Sequence, residues 1–231
     1  GPRALLHGEK LIREGKFPQA IEQLKTATEL LPKNAKAWNY LGLAYHNAGQ
    51  ATNAFIAYHR ALALDRDLMT VHYNLGCLWL EQNNPAAAIE ALNSYIMHPR
   101  YAKDQEGWTK LGTAYLRAHR WDDAEKALNY SIQKLGVRSP ELWNNLGVVQ
   151  VQRRRTAEAA ASFNAALELQ PQYAPALLNL ATVYHHQPNS RPLALRKYRE
   201  YLALNPKPAQ WQVAAKMADD LDAELNAPPA R

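Results

Sequence analysis

The chain is poor in the residues that carry chemistry. Its 231 residues include a single cysteine, Cys77, which excludes an intramolecular disulfide framework and leaves the redox compartment open. No run of about 18 apolar residues occurs, so no segment reads as a membrane-spanning helix. A phosphate loop, a dinucleotide glycine fingerprint and a nucleophile elbow are all missing. His185 and His186 are neighbours and point about 100° apart on a helix, and no Cys or carboxylate stands near them at metal-ligand spacing. No catalytic, cofactor-binding or metal role is therefore assigned to any residue. The chain opens on Gly1-Pro2 instead of Met, the pattern of a removed tag, so a signal peptide or lipid anchor in a parent protein is left unread and the compartment is unassigned.

What the chain has is charge and a period. The net charge is +6, and it is uneven: Arg117 to Lys207 holds 13 Lys or Arg against 7 Asp or Glu, while the rest balances. Such a surplus fits an acidic partner. It fits better still a solvated surface, with Arg153, Arg154 and Arg155 in a loop and Arg196, Lys197 and Arg199 along the outside of a helix.

The period is 34 to 36 residues. Trp38, Leu41, Gly42, Tyr45 and Ala54 recur as His72, Leu75, Gly76, Trp79 and Ala88, then as Trp108, Leu111, Gly112, Tyr115 and Ala124, then as Trp143, Leu146, Gly147 and Ala159. Numbered from three residues before each Trp, apolar residues fall at positions 4, 7, 8 and 11, a helical stripe, and again at 20, 24 and 27. Each unit reads as two antiparallel helices, with small residues at positions 8 and 20 allowing the backbones to approach. Pro32, Pro171 and Pro206 stand where second helices end, and Ser139-Pro140-Glu141 reads as a helix start. Gly15, Gly49 and Asn83-Asn84 mark the turns between paired helices.

This pattern resembles the tetratricopeptide repeat. The resemblance implies an all-α fold, a right-handed superhelical α-solenoid of antiparallel helix pairs, with no catalysis of its own. It divides the chain into six units, about 1–34, 35–68, 69–104, 105–139, 140–173 and 174–207, followed by a capping helix at 208–225 and a tail at 226–231. The third and fourth units depart from the pattern, ending in Met97-His98-Pro99-Arg100 and in Gly136.

In that family, the face opposite the core stripe lines a groove that holds peptides. Positions 2, 6, 9 and 13 are Lys36, Tyr40, Leu43 and Asn47; Thr70, Asn74, Cys77 and Glu81; Glu106, Lys110, Thr113 and Arg117; Glu141, Asn145, Val148 and Gln152; and Pro175, Asn179, Thr182 and His186. Position 5 adds Asn39, Tyr73 and Asn144. The recurrent Asn at position 6 has two readings. An amide ladder can pair with a peptide backbone, as in the similar superhelix of the enzyme that attaches N-acetylglucosamine to proteins, or it can pack between neighbouring helices. Tyr73, Leu80, Leu116, Val151 and Leu178 form an apolar flank suited to a ligand with apolar side chains. His72, in a Trp slot, reads as a half-core residue, and Cys77 as a small apolar one.

The implied function is a scaffold or adaptor for a protein or peptide, acidic or with apolar side chains. The lysine and asparagine set that clamps chaperone tails is not met in any consecutive trio. A second reading is the recognition arm of a larger enzyme, glycosyltransferase-like, or of bacterial pilus or secretion machinery. RNA binding is disfavoured, since the aromatics that base stacking needs occupy core slots.

Overall fold

The computed structural model describes residues 1–227; the expected tail therefore lies largely outside the described residues, as its last four positions, 228–231, are not among them. Among the described residues there are thirteen α-helices: α1 (Pro2–Arg13), α2 (Phe17–Leu30), α3 (Ala35–Asn47), α4 (Ala51–Leu64), α5 (Met69–Glu81), α6 (Pro85–Met97), α7 (Gln105–Arg117), α8 (Trp121–Asn129), α9 (Pro140–Gln152), α10 (Thr156–Leu169), α11 (Ala174–His185), α12 (Arg191–Leu202) and α13 (Trp211–Leu225). A π-helical turn, Tyr130–Lys134, extends α8, and a 3₁₀ turn, Pro188–Ser190, precedes α12. The expected terminal helix at 208–225 starts at Trp211. Pro206 stands beyond the end of α12, which has already stopped at Leu202.

The residues group into two compact units, Gly1–Ala114 and Tyr115 onward. In the first, α1 pairs with α2, α3 with α4 and α5 with α6; in the second, α9 pairs with α10 and α11 with α12, and α13 packs on α12. This is the all-α solenoid class of helix hairpins. Local signals explain the helix starts. Asn34 accepts the Ala37 N–H at 3.0 Å, Asn84 the Ala87 N–H at 3.2 Å and Ser139 the Leu142 N–H at 3.4 Å, each satisfying a donor that the first turn leaves without a partner. Five of the turns between successive helices carry one left-handed residue: Gly15, Gly49, Asn83, His119 and Arg154, with φ between 54° and 73°.

The glycine at position 8 leaves room for a large side chain of the partner helix. A Cβ on Gly42 would lie 2.5 Å from the Tyr58 ring, on Gly147 2.5 Å from Phe163, on Gly76 2.5 Å from Leu92 and on Gly8 2.4 Å from Leu24. The missing side chain makes room for the large residue at position 24 of the partner helix, and those residues are at most 1% exposed. Close packing of this kind leaves no space for a methyl group.

A second recurring contact sits at the joints between hairpins. Trp38 Nε1 donates to the Pro32 carbonyl at 3.0 Å and Trp108 Nε1 to the Ala102 carbonyl at 2.9 Å. His72 Nε2 reaches the Arg66 carbonyl at 3.1 Å, so the histidine keeps the N–H donor of the tryptophan it replaces, six residues after its acceptor in every case. Trp143 makes no such bond among the described residues. Its upstream linker contains the π turn and Gly136 (φ 67°), and two cavities of about 470 and 550 Å³ share Ile132, Trp143 and Ala165 there.

Candidate functional site

Several basic side chains of the later repeats are held in ion pairs. Arg153 and Arg155 both pair with Glu125, whose side chain is only 15% exposed, and reach Asp122 and Glu158 as well. Arg191 meets Glu224 at 3.2 Å, Arg199 meets Asp222 at 3.1 Å and Lys197 meets Glu200 at 2.7 Å. Arg153 and Arg154 are exposed in the loop as expected, and Arg153 and Arg155 also tie α8 to the α9–α10 turn.

The structure brings part of the expected groove stripe together. Asn74 Nδ2 donates to Asn39 Oδ1 at 3.0 Å, and Asn179 Nδ2 donates to Asn144 Oδ1 at 2.9 Å. Position 6 of one hairpin thereby bonds to position 5 of the hairpin before it, and Asn39 and Asn144 are each 7% exposed. Of the two readings of the recurrent Asn, packing between neighbouring helices describes where Asn74 and Asn179 sit. Each amide still has hydrogen-bonding capacity beyond that single bond, so bridging and ligand contact are compatible.

Around the first bridge lies a cavity of about 470 Å³ whose lining includes Tyr40, Leu43 and Tyr73 with Asn39 and Asn74. Cys77 lies beside Tyr73. Burial pushes the Cys77 thiol above its ordinary pKa, the opposite of what a nucleophilic thiolate needs. Burial raises Tyr73 and Tyr40 too, with the neighbouring carboxylates of Glu106 and Glu9 adding to the shift.

Other predicted residues fall outside the cluster. Asn47 is exposed and turns its amide to the Leu43 carbonyl at 2.8 Å. Thr113 and Thr182 bond to carbonyls one turn back on their own helices. Lys110, Asn145 and Val148 are half-buried, while Arg117, Gln152 and His186 are exposed. The apolar flank is mixed: Val151 is 39% exposed, but Leu80 at 6% belongs to the core. The sequence reading missed the contribution of Tyr95, Arg100 and Tyr101, which line the same cavity from the end of α6 and the segment after it. The excess length of that unit was the available signal.

Comparison with known proteins places this architecture. The family model described as the cilia and flagella-associated protein 70 C-terminal domain matches residues 3–224. The chain belongs to this tetratricopeptide-repeat family. A peroxisomal targeting signal receptor from Kluyveromyces lactis is 37% identical over 83 residues, 36% of this chain and 15% of the receptor; the match thus spans under a sixth of that relative's length. The crystal structure of PilW, a type IV pilus biogenesis factor, superposes with a TM-score of 0.79 at 18% identity, covering 93% of this chain and 97% of PilW. YrrB, a repeat protein with an unusual peptide-binding site, superposes with a TM-score of 0.67 at 19% identity, covering 84% of this chain and 97% of YrrB. At those identities the two structures speak for the fold of this tetratricopeptide-repeat domain.

Proposed function

We infer that this tetratricopeptide-repeat domain is a non-catalytic scaffold that holds an extended segment of a partner protein along the face of its first helices, with six hairpins and a terminal cap as the frame. The observation that carries this reading is the cavity at the Asn39–Asn74 bridge. It gathers half-buried amides, tyrosine rings and a leucine on the face opposite the core stripe, and a site of that makeup suits a peptide with alternating polar and apolar demands. A receptor for targeting signals among its relatives and a peptide-binding protein among its structural neighbours support the same class of function. The family's description as a C-terminal domain favours the further reading that this segment is the recognition arm of a longer chain.

The test is affinity capture with mass spectrometry from the source organism, followed by the Asn74→Ala, Asn145→Ala and Asn179→Ala triple variant. Capture of the same partner should be lost while the helical circular dichroism persists. Undiminished capture would move the binding face elsewhere.

A further inference from the structure

We propose that Glu125, Arg153 and Arg155 form an ionic latch that clasps α8 to the α9–α10 hairpin, and that raising the ionic strength releases it and opens the cleft beside Trp143. The latch closes a seam that the repeat pattern leaves loose. At the joints ahead of α3, α5 and α7, an indole or imidazole nitrogen ties the linker to the helix that follows. Ahead of α9 the residue six before Trp143 is Val137, and its N–H turns back to the Ser131 carbonyl at 3.0 Å, so the linker is fastened to the α8 side. The helices α8 and α9 still share an apolar core of Ala124, Leu128, Leu142, Leu146 and Val149. Between the end of α8 and α10, however, lie the two cavities that share Ile132, Trp143 and Ala165, and side chains facing a void lose the dispersion contacts that packing would give them. The joint ahead of α11 also lacks the indole, yet there Leu177 is 1% exposed and packs in one core with Phe163 and Ala166 of α10.

Charge takes the place of packing at the outer edge of this seam. Glu125, on α8, pairs with Arg153 Nε at 3.3 Å and with Arg155 Nη2; Arg153 also reaches Asp122, and Arg155 reaches Glu158 at 3.2 Å. Glu125 and Arg155 both line the larger cavity, so the pair stands at the cleft itself. One carboxylate shared by two guanidinium groups makes charge-assisted contacts, stronger than neutral ones and weakened as salt screens them. The closed form also leaves two buried polar atoms unsatisfied: Ser131 Oγ in the π turn and Arg155 Nε have no hydrogen-bond partner among the described residues. Opening gives both to water, which offsets part of the cost of breaking the pairs. A seam held by charge over a void, with two groups short of solvent, is poised to open.

The test is amide hydrogen exchange with mass spectrometry on the whole chain at about 0.01 M and about 1 M NaCl, across which the screening length falls from about 30 to about 3 Å. Exchange in peptides covering α8 and the π turn should quicken by roughly three- to tenfold with salt, while α2 and α4, which lead into tied joints, should change by less than about twofold. Glu125→Gln keeps the side chain's shape and should show the fast exchange already at low salt, with little further response; Arg153→Gln, at an exposed position, should show part of it. A second readout follows the cleft: in a Cys77→Ala background, Ala165→Cys should react faster with the uncharged reagent N-ethylmaleimide as salt rises. Circular dichroism checks the fold, and if Glu125→Gln does not fold, the salt series on the unmodified chain and Arg153→Gln decide the matter. A salt response in α8 no greater than that in α2 and α4, or Glu125→Gln exchange equal to that of the unmodified chain at low salt, overturns the latch.

Discussion

The amide bridge between hairpins makes a quantitative prediction that separates its structural role from its binding role. Asn39 is 7% exposed and its Oδ1 accepts from Asn74 Nδ2 at 3.0 Å. An intramolecular hydrogen bond contributes about 1 kcal/mol net, and a buried group stripped of its partner costs about 1–3 kcal/mol. Asn74→Ala strands the buried carbonyl oxygen and should cost about 1–2 kcal/mol. Asn39→Ala should cost a similar amount through lost packing and lost bonding. In the double variant no stranded group remains, so the two costs should fall short of additivity by about 1 kcal/mol. Urea unfolding followed by circular dichroism gives the cycle, with the m-value watched because repeat arrays need not unfold in one step. Asn47→Ala, exposed and bonded only within its own helix, is the control and should shift stability by less than about 0.5 kcal/mol. Additivity of Asn39 and Asn74 within about 0.3 kcal/mol would refute the bridge. Partner capture by the same variants adds the second half: a purely structural amide leaves capture unchanged once the chain is folded.

Gly42→Ala gains roughly 1 kcal/mol of helix propensity but drives a methyl to 2.5 Å from the fully buried Tyr58 ring, an overpacking cost of about 1–3 kcal/mol. It should destabilise the wild type yet stabilise a Tyr58→Ala background, and the same sign in both backgrounds would sink the steric account. Cys77, its thiol pushed up by burial, should react with iodoacetamide far more slowly at neutral pH than the urea-unfolded chain does. Because the folded chain holds that proton more tightly, its contribution to stability is intact below the unfolded thiol's pKa of about 8.5 and is lost as pH rises through the folded value. Labelling of the folded chain as fast as that of the unfolded one would contradict this.

The fold was legible where its causes are local. Ser139-Pro140 starts α9, Gly15 and Gly49 turn the first two hairpins, and the apolar spacing around Leu41, Leu75 and Leu146 predicts the buried stripe. The candidate site was legible only as a stripe of positions. Its decisive contacts join residues far apart in the chain: Asn39 with Asn74, and Glu125 with Arg155. Spacing alone does not say which of an amide's partners wins. Arg154 and His119 adopt left-handed backbone where Gly or Asn is favoured, and side-chain identity gave no hint of it. The wall formed by Tyr95 and Tyr101 was hidden because it depends on how an irregular linker folds back, a matter of tertiary packing beyond any repeat pattern.

The indole-to-carbonyl ties at the joints bear on how the domain would carry force. A solenoid that grips a partner transmits tension through its linkers, and each tie by Trp38, His72 or Trp108 braces a linker against the helix that follows. Under load those joints should move with their hairpins as stiff pieces. Among the described residues the joint ahead of α9 lacks that indole tie and has a π turn in its approach and hollow space beside Trp143, and the joint ahead of α11, with Leu177 in the tryptophan slot, lacks it as well. Load along the second unit should therefore be taken up at these two linkers before its hairpins open.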